Sequence, residues 1–398
     1  MNSGVQPGDE MHLDPEDERI LAGEEGETRQ KMLELLIALG KVFGATQLIP
    51  IKSAQVSGAS YKTIGKYGLE WLSSLDARAV VPAVLNPIGM PRQRWEEMGI
   101  GTDFAGKQEA VVAAYARLGV RLDCTCTPYY LHETRFGDHL AWSESSAVSY
   151  ANSVIGARTN REGGPSALAA ALIGKTPCYG LHVDKNRVPQ LIIDVNGDTK
   201  GWGIADFGAL GYYAGKLVGN RIPYFRGIRP GPDELKALGA AMAATGAVAL
   251  YHVKDVTPEA QKIGYDLAGP DVITVETAEI ANLFEDIPVD AVAVGCPHCS
   301  KAELEKIAGF LSGKIVKKPL FVFAAQGVIE KNRAAVEAIE KSGARVYADT
   351  CMVVSPAMER FQSIMVNSGK ALAYVPNMCG GRARIGTLED CVQVATGP

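Results

Sequence analysis

Two cysteines stand three positions apart in the segment GCPHCSKAEL, at Cys296 and Cys299, with a proline and a histidine between them. That spacing suits a dithiol redox pair, half of a metal clamp, or one ligand of an iron–sulfur centre assembled from distant parts of a chain. Three other cysteines bear on the choice: Cys124 and Cys126 in RLDCTCTPYY, and Cys351 in ARVYADTC. Cys296 and Cys351 each close a short apolar run that reads as a buried strand. Ligands of open α/β sheets gather beyond the carboxyl ends of strands, so these two thiols are expected to meet. On an extended segment successive side chains face opposite ways, and only one of Cys124 and Cys126 can share a site with Cys296. Cys126, beside the turn TPYY, is the better placed; Cys124 reads as core. Ser300 to Glu303 has the capping-box pattern, which puts Cys299 just before a helix N-terminus, where the dipole favours a thiolate. Cys296, at the end of its strand, is expected to share the site with Cys351, and Cys299 to be dispensable; a redox pair would need both thiols. Cys178 and Cys391 read as inert buried thiols, and Cys379 in PNMCGG stays open.

Other polar groups can serve such a centre. The loop SGASYK, 57–62, offers backbone N–H groups, hydroxyls and Lys62 to an anion, with a polar surface turn as the alternative. Glu144 in WSESSA stands before a helix, as a first-turn acid or as a proton carrier. Arg158, among Asn152, Thr159 and Asn160, lines a cleft or caps a helix. Lys370 follows Asn-Ser-Gly and suits an anionic substrate end. His132, His139, His182 and His298 match no metal-ligand spacing, and the glycine-rich stretch 201–215 lacks the G-x-G-x-x-G that a dinucleotide site needs.

These groups must be positioned by alternating strands and helices. ETRQKMLELLIALGKVF puts Met32, Leu35, Leu36 and Leu39 on one helical face. TQLIPI, ARAVVPAVLNP and RLDCTCTPYY read as strands, with a helix over GKQEAVVAAYARLG between the last two. WSESSAVSYANSVIGARTN and GGPSALAAALIG read as helices. DVITVE, DAVAVGC, PLFVFAA and ARVYADTC are continuous apolar runs of the kind that fill parallel strands buried on both faces. With 398 residues, 47% of them hydrophobic and 21% charged, the chain has the composition of an α/β protein with a sizeable core. The proline- and glycine-containing stretch 226–234 divides it into an N-terminal segment 1–28, a first α/β region 29–229 and a second 230–398. A net charge of −5 with dispersed lysines and arginines gives no footprint for nucleic acid. The acidic N-terminus is no secretory signal, no apolar window is long enough for a bilayer, and the reading is a cytoplasmic protein with reduced thiols.

SGASYKTIG, LNPIGM, CTCTPYY, SESSAVSYANSVIGARTNREGG, GCPHCS, DTCMVVSP and NSGKALAYVPN, in that order, resemble the catalytic subunit of the aconitase X family over almost the whole chain. The resemblance implies a multi-lobed, aconitase-like α/β architecture with parallel or mixed sheets flanked by helices, and an iron–sulfur cluster, [4Fe-4S] or its [3Fe-4S] form, on Cys126, Cys296 and Cys351. It implies substrate contacts at Gly58, Ala59, Ser60, Asn86, Pro87, Glu144, Ser145 and Lys370, to which Lys62 and Arg158 add from the residues themselves. Glu144, Ser145 and Lys370 are then the catalytic candidates. The implied reaction is loss of water from a small anionic hydroxy acid, mevalonate 5-phosphate first and cis-3-hydroxy-L-proline second. A thiol-bearing scaffold without activity is the reading from another class. The family's swivelling domain is not found in this sequence, which implies a separate small subunit in a heterodimer or heterotetramer.

Overall fold

The computed structural model describes residues 11–262 and 270–397. Three all-parallel sheets follow one another along the chain. In the first, β1 (Ala54–Val56) lies between β2 (Ala83–Leu85) and β3 (Ala141–Trp142). The second comprises β4 (Leu191–Asn196), β5 (Pro223–Arg226), β6 (His252–Val253) and β7 (Asp271–Glu276) in the order β6-β5-β4-β7. The third comprises β8 (Ala291–Val294), β9 (Leu320–Ala324), β10 (Arg345–Ala348), β11 (Ser363–Val366) and β12 (Arg382–Ile385) in the order β10-β9-β8-β11-β12. Every residue of β8 and β9 is buried, which is why these runs carry no polar alternation. A short antiparallel pair, Leu48–Pro50 with Lys175–Pro177, stands apart.

Seven helices matter for the site: α1 (Tyr61–Ser74), α2 (Thr102–Arg117), α3 (Ser145–Tyr150), α4 (Ile204–Val218), α5 (Pro232–Thr245), α6 (Lys301–Leu311) and α7 (Gly369–Met378). Helices α3, α4, α5 and α7 pack together, so the second sheet's helices touch elements of the regions before and after it. At the crossing of α4 and α7 a methyl group on Gly369 would overlap the carbonyl oxygen of Gly208. Only glycine permits that approach.

Several sequence expectations shift in detail. The segment 121–127 is extended but joins no ladder: Arg121 N–H donates to Ala83 O at 2.8 Å and Thr125 N–H to Leu85 O at 2.9 Å, while the Gln55 side-chain amide donates to Thr125 O at 2.7 Å. The helix begun by Ser145 passes into a π-helical turn over Ala151–Ile155. In the helix Glu27–Phe43 the buried face runs through Met32, Leu33, Leu36 and Gly40, with Leu35 and Leu39 at its margin. The second sheet takes strands from both sides of the stretch 226–234. Residues 1–10 of the expected N-terminal segment lie outside the described residues; a helix over Pro15–Leu21, capped by Asp14, follows them. Among the described residues no helix is long and apolar enough to cross a membrane.

Candidate active site

Strand β8 ends at Val294 and β10 at Ala348, so Cys296 and Cys351 sit two and three residues past their strands, in loops beyond the carboxyl edge of the third sheet. Cys351 is braced there by the second loop of the first region: its N–H donates to Ile88 O at 2.9 Å, and Ile88 N–H donates to Asp349 O at 3.0 Å. Cys126 reaches the same place, where its Sγ accepts the His298 main-chain N–H at 3.1 Å. Burial pushes all three thiols up, Cys126 to about 12, while the ammonium of Lys370 works against that in each case. The thiols also influence one another's ionisation, as neighbours do: Cys351 acts on both Cys126 and Cys296.

Cys299 is different. It lies in an apolar wall with Val292, Val294 and Val322, and burial raises its thiol well above the ordinary range. The capping box is there, with Ser300 Oγ accepting Glu303 N–H at 3.2 Å and Glu303 accepting Ser300 N–H at 2.8 Å. The expected thiolate is not, because a helix dipole is worth less than about 2 kcal/mol and burial of an unpaired charge costs more. Cys124 belongs to the first region's core. Among the described residues no three His, Cys, Asp or Glu side chains converge as ligands of a single ion. Three thiols from three segments have the chemistry to hold an iron–sulfur cluster, whose ligands come from distant parts of a chain.

Against the thiols stands a buried ion pair. Glu144 is the N-cap of α3 and Lys370 is the second residue of α7; the Lys370 ammonium bonds Glu144 Oε1 and, at 3.1 Å, Ser146 Oγ. Asn86 Nδ2 donates to Glu144 Oε2 at 2.8 Å, and Ser146 Oγ donates to Oε1 at 3.1 Å. Ser145 is buried beside them, with a longer contact of 3.4 Å to Glu144 Oε1. Burial alone would raise Glu144, but the charge and hydrogen bond of Lys370, with Asn86, hold it at about 2. Burial likewise opposes the charge on Lys370; the Glu144 carboxylate and the nearby thiols outweigh it and keep the amine protonated well above its ordinary range. Ser368 caps α7 by accepting Ala371 N–H at 3.1 Å, and its hydroxyl donates to Cys296 O, which ties the lysine helix to the cysteine loop.

The first loop is shaped by α2. Gln108, fully buried, donates to Ala59 O at 2.7 Å and accepts N–H from both Tyr61 and Gly89 at 3.2 Å. Tyr115 OH donates to Gly58 O at 3.3 Å, where Gly58 has φ +83°. Ser60 Oγ donates to Val354 O at 3.3 Å, just past Cys351, and Pro87 is buried in the neighbouring loop. Lys62 is engaged elsewhere, with Glu359 at 2.6 Å and Met378 O at 2.8 Å. Arg158 is not brought to this group: it pairs with Asp184 at 2.7 Å, bonds Gly156 O and lies over the Phe136 ring. A cavity of about 780 Å³ opens at the ends of β4, β5 and β6, lined by Lys200, Trp202, Arg229 and Lys254, and touches none of these residues.

Sequence reasoning missed Gln108 and underrated His298. The His298 ring is buried with both nitrogens engaged, Nε2 against Thr350 O at 2.9 Å and Nδ1 against Thr125 Oγ1 at 3.2 Å. Burial lowers it to about 4, so it is neutral at pH 7.

The sequence matches the aconitase X first domain over residues 10–185, the second over 189–285 and the third over 289–397. The chain belongs to the aconitase X family. A solved aconitase X from Thermococcus kodakaraensis, in a holo-form, superposes with a TM-score of 0.90 at 44% identity, covering 98% of this chain and 100% of that one. The phosphomevalonate dehydratase large subunit of Methanosarcina mazei is 54% identical over 97% of this chain and 98% of its own length. Its counterpart in Methanothermobacter thermautotrophicus is 49% identical over 93% and 95%. An aconitase X relative with another substrate in its name, the cis-3-hydroxy-L-proline dehydratase of Pseudomonas aeruginosa, is 32% identical and matches 97% of this chain with only 70% of its own.

Proposed function

We propose that this chain is the large, catalytic subunit of a dehydratase that removes water from (R)-5-phosphomevalonate to give trans-anhydromevalonate 5-phosphate. The observation that carries the reading is the Glu144–Lys370 pair buried beside Cys126, Cys296 and Cys351. The names of relatives at 49–54% identity favour the phosphorylated substrate over hydroxyproline. Their designation as large subunits supports a small-subunit partner, the swivelling domain, in a heterodimer or heterotetramer.

Cys126, Cys296 and Cys351 would hold a [4Fe-4S] cluster, having lost the protons that burial keeps on them in its absence. When bound, such a cluster supplies an iron free of protein ligands as a Lewis acid for the departing hydroxyl. The chain's own residues do the rest. Lys370 offers a fixed positive charge in a dry site to the substrate carboxylate. While Lys370 is bonded to it, Glu144 is a weak base. A substrate anion that draws on the Lys370 charge leaves burial as the dominant influence, raising Glu144 into the range where it can take the proton next to the carboxylate. Ser145 and Asn86 orient that carboxyl, and the backbone of Gly58, Ala59 and Ser60 presents N–H groups to the phosphate, with Lys62 released from Glu359 to join them.

The test is anaerobic loading of the chain with iron and sulfide, addition of the small subunit, and mass spectrometry of mevalonate 5-phosphate for loss of one water. Turnover of cis-3-hydroxy-L-proline with none of mevalonate 5-phosphate would overturn the substrate, and absence of either activity in a fully loaded pair would favour a scaffold.

A further inference from the structure

We propose that His298 is a positioning residue that fixes the three cysteine-bearing segments relative to one another before any cluster is present. The inference deepens the reading above, because it takes Cys126, Cys296 and Cys351 as the ligand set. Its ground is the identity of the partners. Nε2 meets the carbonyl of Thr350, the residue before Cys351. Nδ1 meets the hydroxyl of Thr125, the residue before Cys126. The main-chain N–H meets the sulfur of Cys126 itself. His298 is also two residues past Cys296, whose carbonyl is held by Ser368. One side chain, 1% exposed, thus spans all three segments.

The proton positions follow from what each partner can do. A carbonyl only accepts, so Nε2 carries the hydrogen and Nδ1 of the neutral ring is an acceptor. Thr125 must then donate to Nδ1. Its oxygen is left to accept, and it does so from Thr127 N–H at 3.0 Å, with the Thr127 hydroxyl also at 3.0 Å. Both ring nitrogens are committed, which leaves none for acid–base work and argues for orientation. A histidine that merely filled core space would have no reason to bond the residue preceding each of two distant cysteines. Partners that orient ligands in this way commonly govern metal retention by about 10–100-fold.

The test compares the full-length chain with His298→Ala, His298→Gln and His298→Asn. In the metal-free proteins, alkylation of each thiol by iodoacetamide is followed by mass spectrometry, with Cys391, buried in the apolar cluster of β8 and β9 and bonded to none of the His298 partners, as the internal control. In His298→Ala, Cys126 and Cys351 should react several-fold faster while Cys391 does not change. Glutamine keeps a donor within reach of Thr350 and should restore Cys351; asparagine keeps an acceptor near Thr125 and should restore Cys126. After anaerobic loading with ferrous iron and sulfide, His298→Ala should lose its cluster absorbance in air about 10–100-fold faster. Unchanged rates at Cys126 and Cys351, or an equal rise at Cys391, would overturn the proposal, the latter by showing a general loss of packing. A parent chain that takes up no iron would sink the cluster reading alone, since the alkylation pattern is measured without it.

Discussion

The ammonium of Lys370 and the carboxylate of Glu144 meet across 226 positions of sequence, one on the first turn of α7 and the other capping α3. Lys370→Met should therefore do more than remove a cation. It leaves a buried carboxylate unpaired, at a cost of about 3–5 kcal/mol, and should lower turnover by at least ~100-fold. Thermal unfolding and single-turnover dehydration measure the two effects.

The same pair sets an acid limit. Glu144 is held at about 2 against an ordinary 4.5, so its contribution to stability is fully present above pH 4.5 and is lost as pH falls through 2. Lys370, raised above its ordinary 10.5, contributes below that pH and loses its contribution only as pH rises through its folded value. Urea midpoints measured from pH 5 to pH 2 should fall in the parent chain. In Glu144→Gln that acid-dependent fall should be smaller, whereas an identical pH profile would refute the assignment.

Cys296→Ser and Cys299→Ser separate the two thiols of the CPHC segment. Cys296→Ser should abolish cluster uptake. Cys299→Ser puts a hydroxyl into the apolar wall of Val292, Val294 and Val322, costing about 1–3 kcal/mol of stability, and should retain both iron and sulfide. Iron analysis after anaerobic loading decides, and the opposite pattern would exchange the roles.

Lys62 and Arg158 should differ in kinetics. Lys62→Ala is expected to raise KM for the phosphorylated substrate with kcat nearly intact, as loss of a binding contact does. Arg158→Ala should leave both constants unchanged while lowering the melting temperature, because its partners Asp184, Gly156 and Phe136 are not at the site.

Gln108→Leu removes three hydrogen bonds at once from Ala59, Tyr61 and Gly89. The orphaned backbone groups predict a loss of about 2–4 kcal/mol and a higher KM, read by denaturant unfolding and steady-state kinetics.

The apolar runs of the third sheet and the Ser300–Glu303 capping box were legible in sequence because each depends on neighbours a few residues away. The convergence of Cys296 and Cys351 was also legible, because the end of a buried parallel strand has a known destination. The thiolate favoured at Cys299 was misjudged, though not its place outside the site: the dipole that favours the charge is local, whereas the wall that opposes it comes from β8 and β9. Gln108 carried no signal in its surroundings, and His298 only its place between Cys296 and Cys299, since their partners lie on other segments and only the folded chain brings them together. Lys62 and Arg158 were both read as substrate contacts; their ion pairs with Glu359 and Asp184 come from distant segments and left no mark in the sequence around them.

The absence of a side chain at Gly369 ties an electrostatic property to a steric one. The carbonyl of Gly208 occupies the space a methyl would take, so α4 sets how deeply α7, and with it the first-turn ammonium, sits above the thiols. A single added carbon at position 208 or 369 would alter no charge and break no named hydrogen bond directly. It would nonetheless act as a lever, lifting the lysine from its carboxylate and detuning the acidity of Glu144 from a helix that belongs to a different sheet.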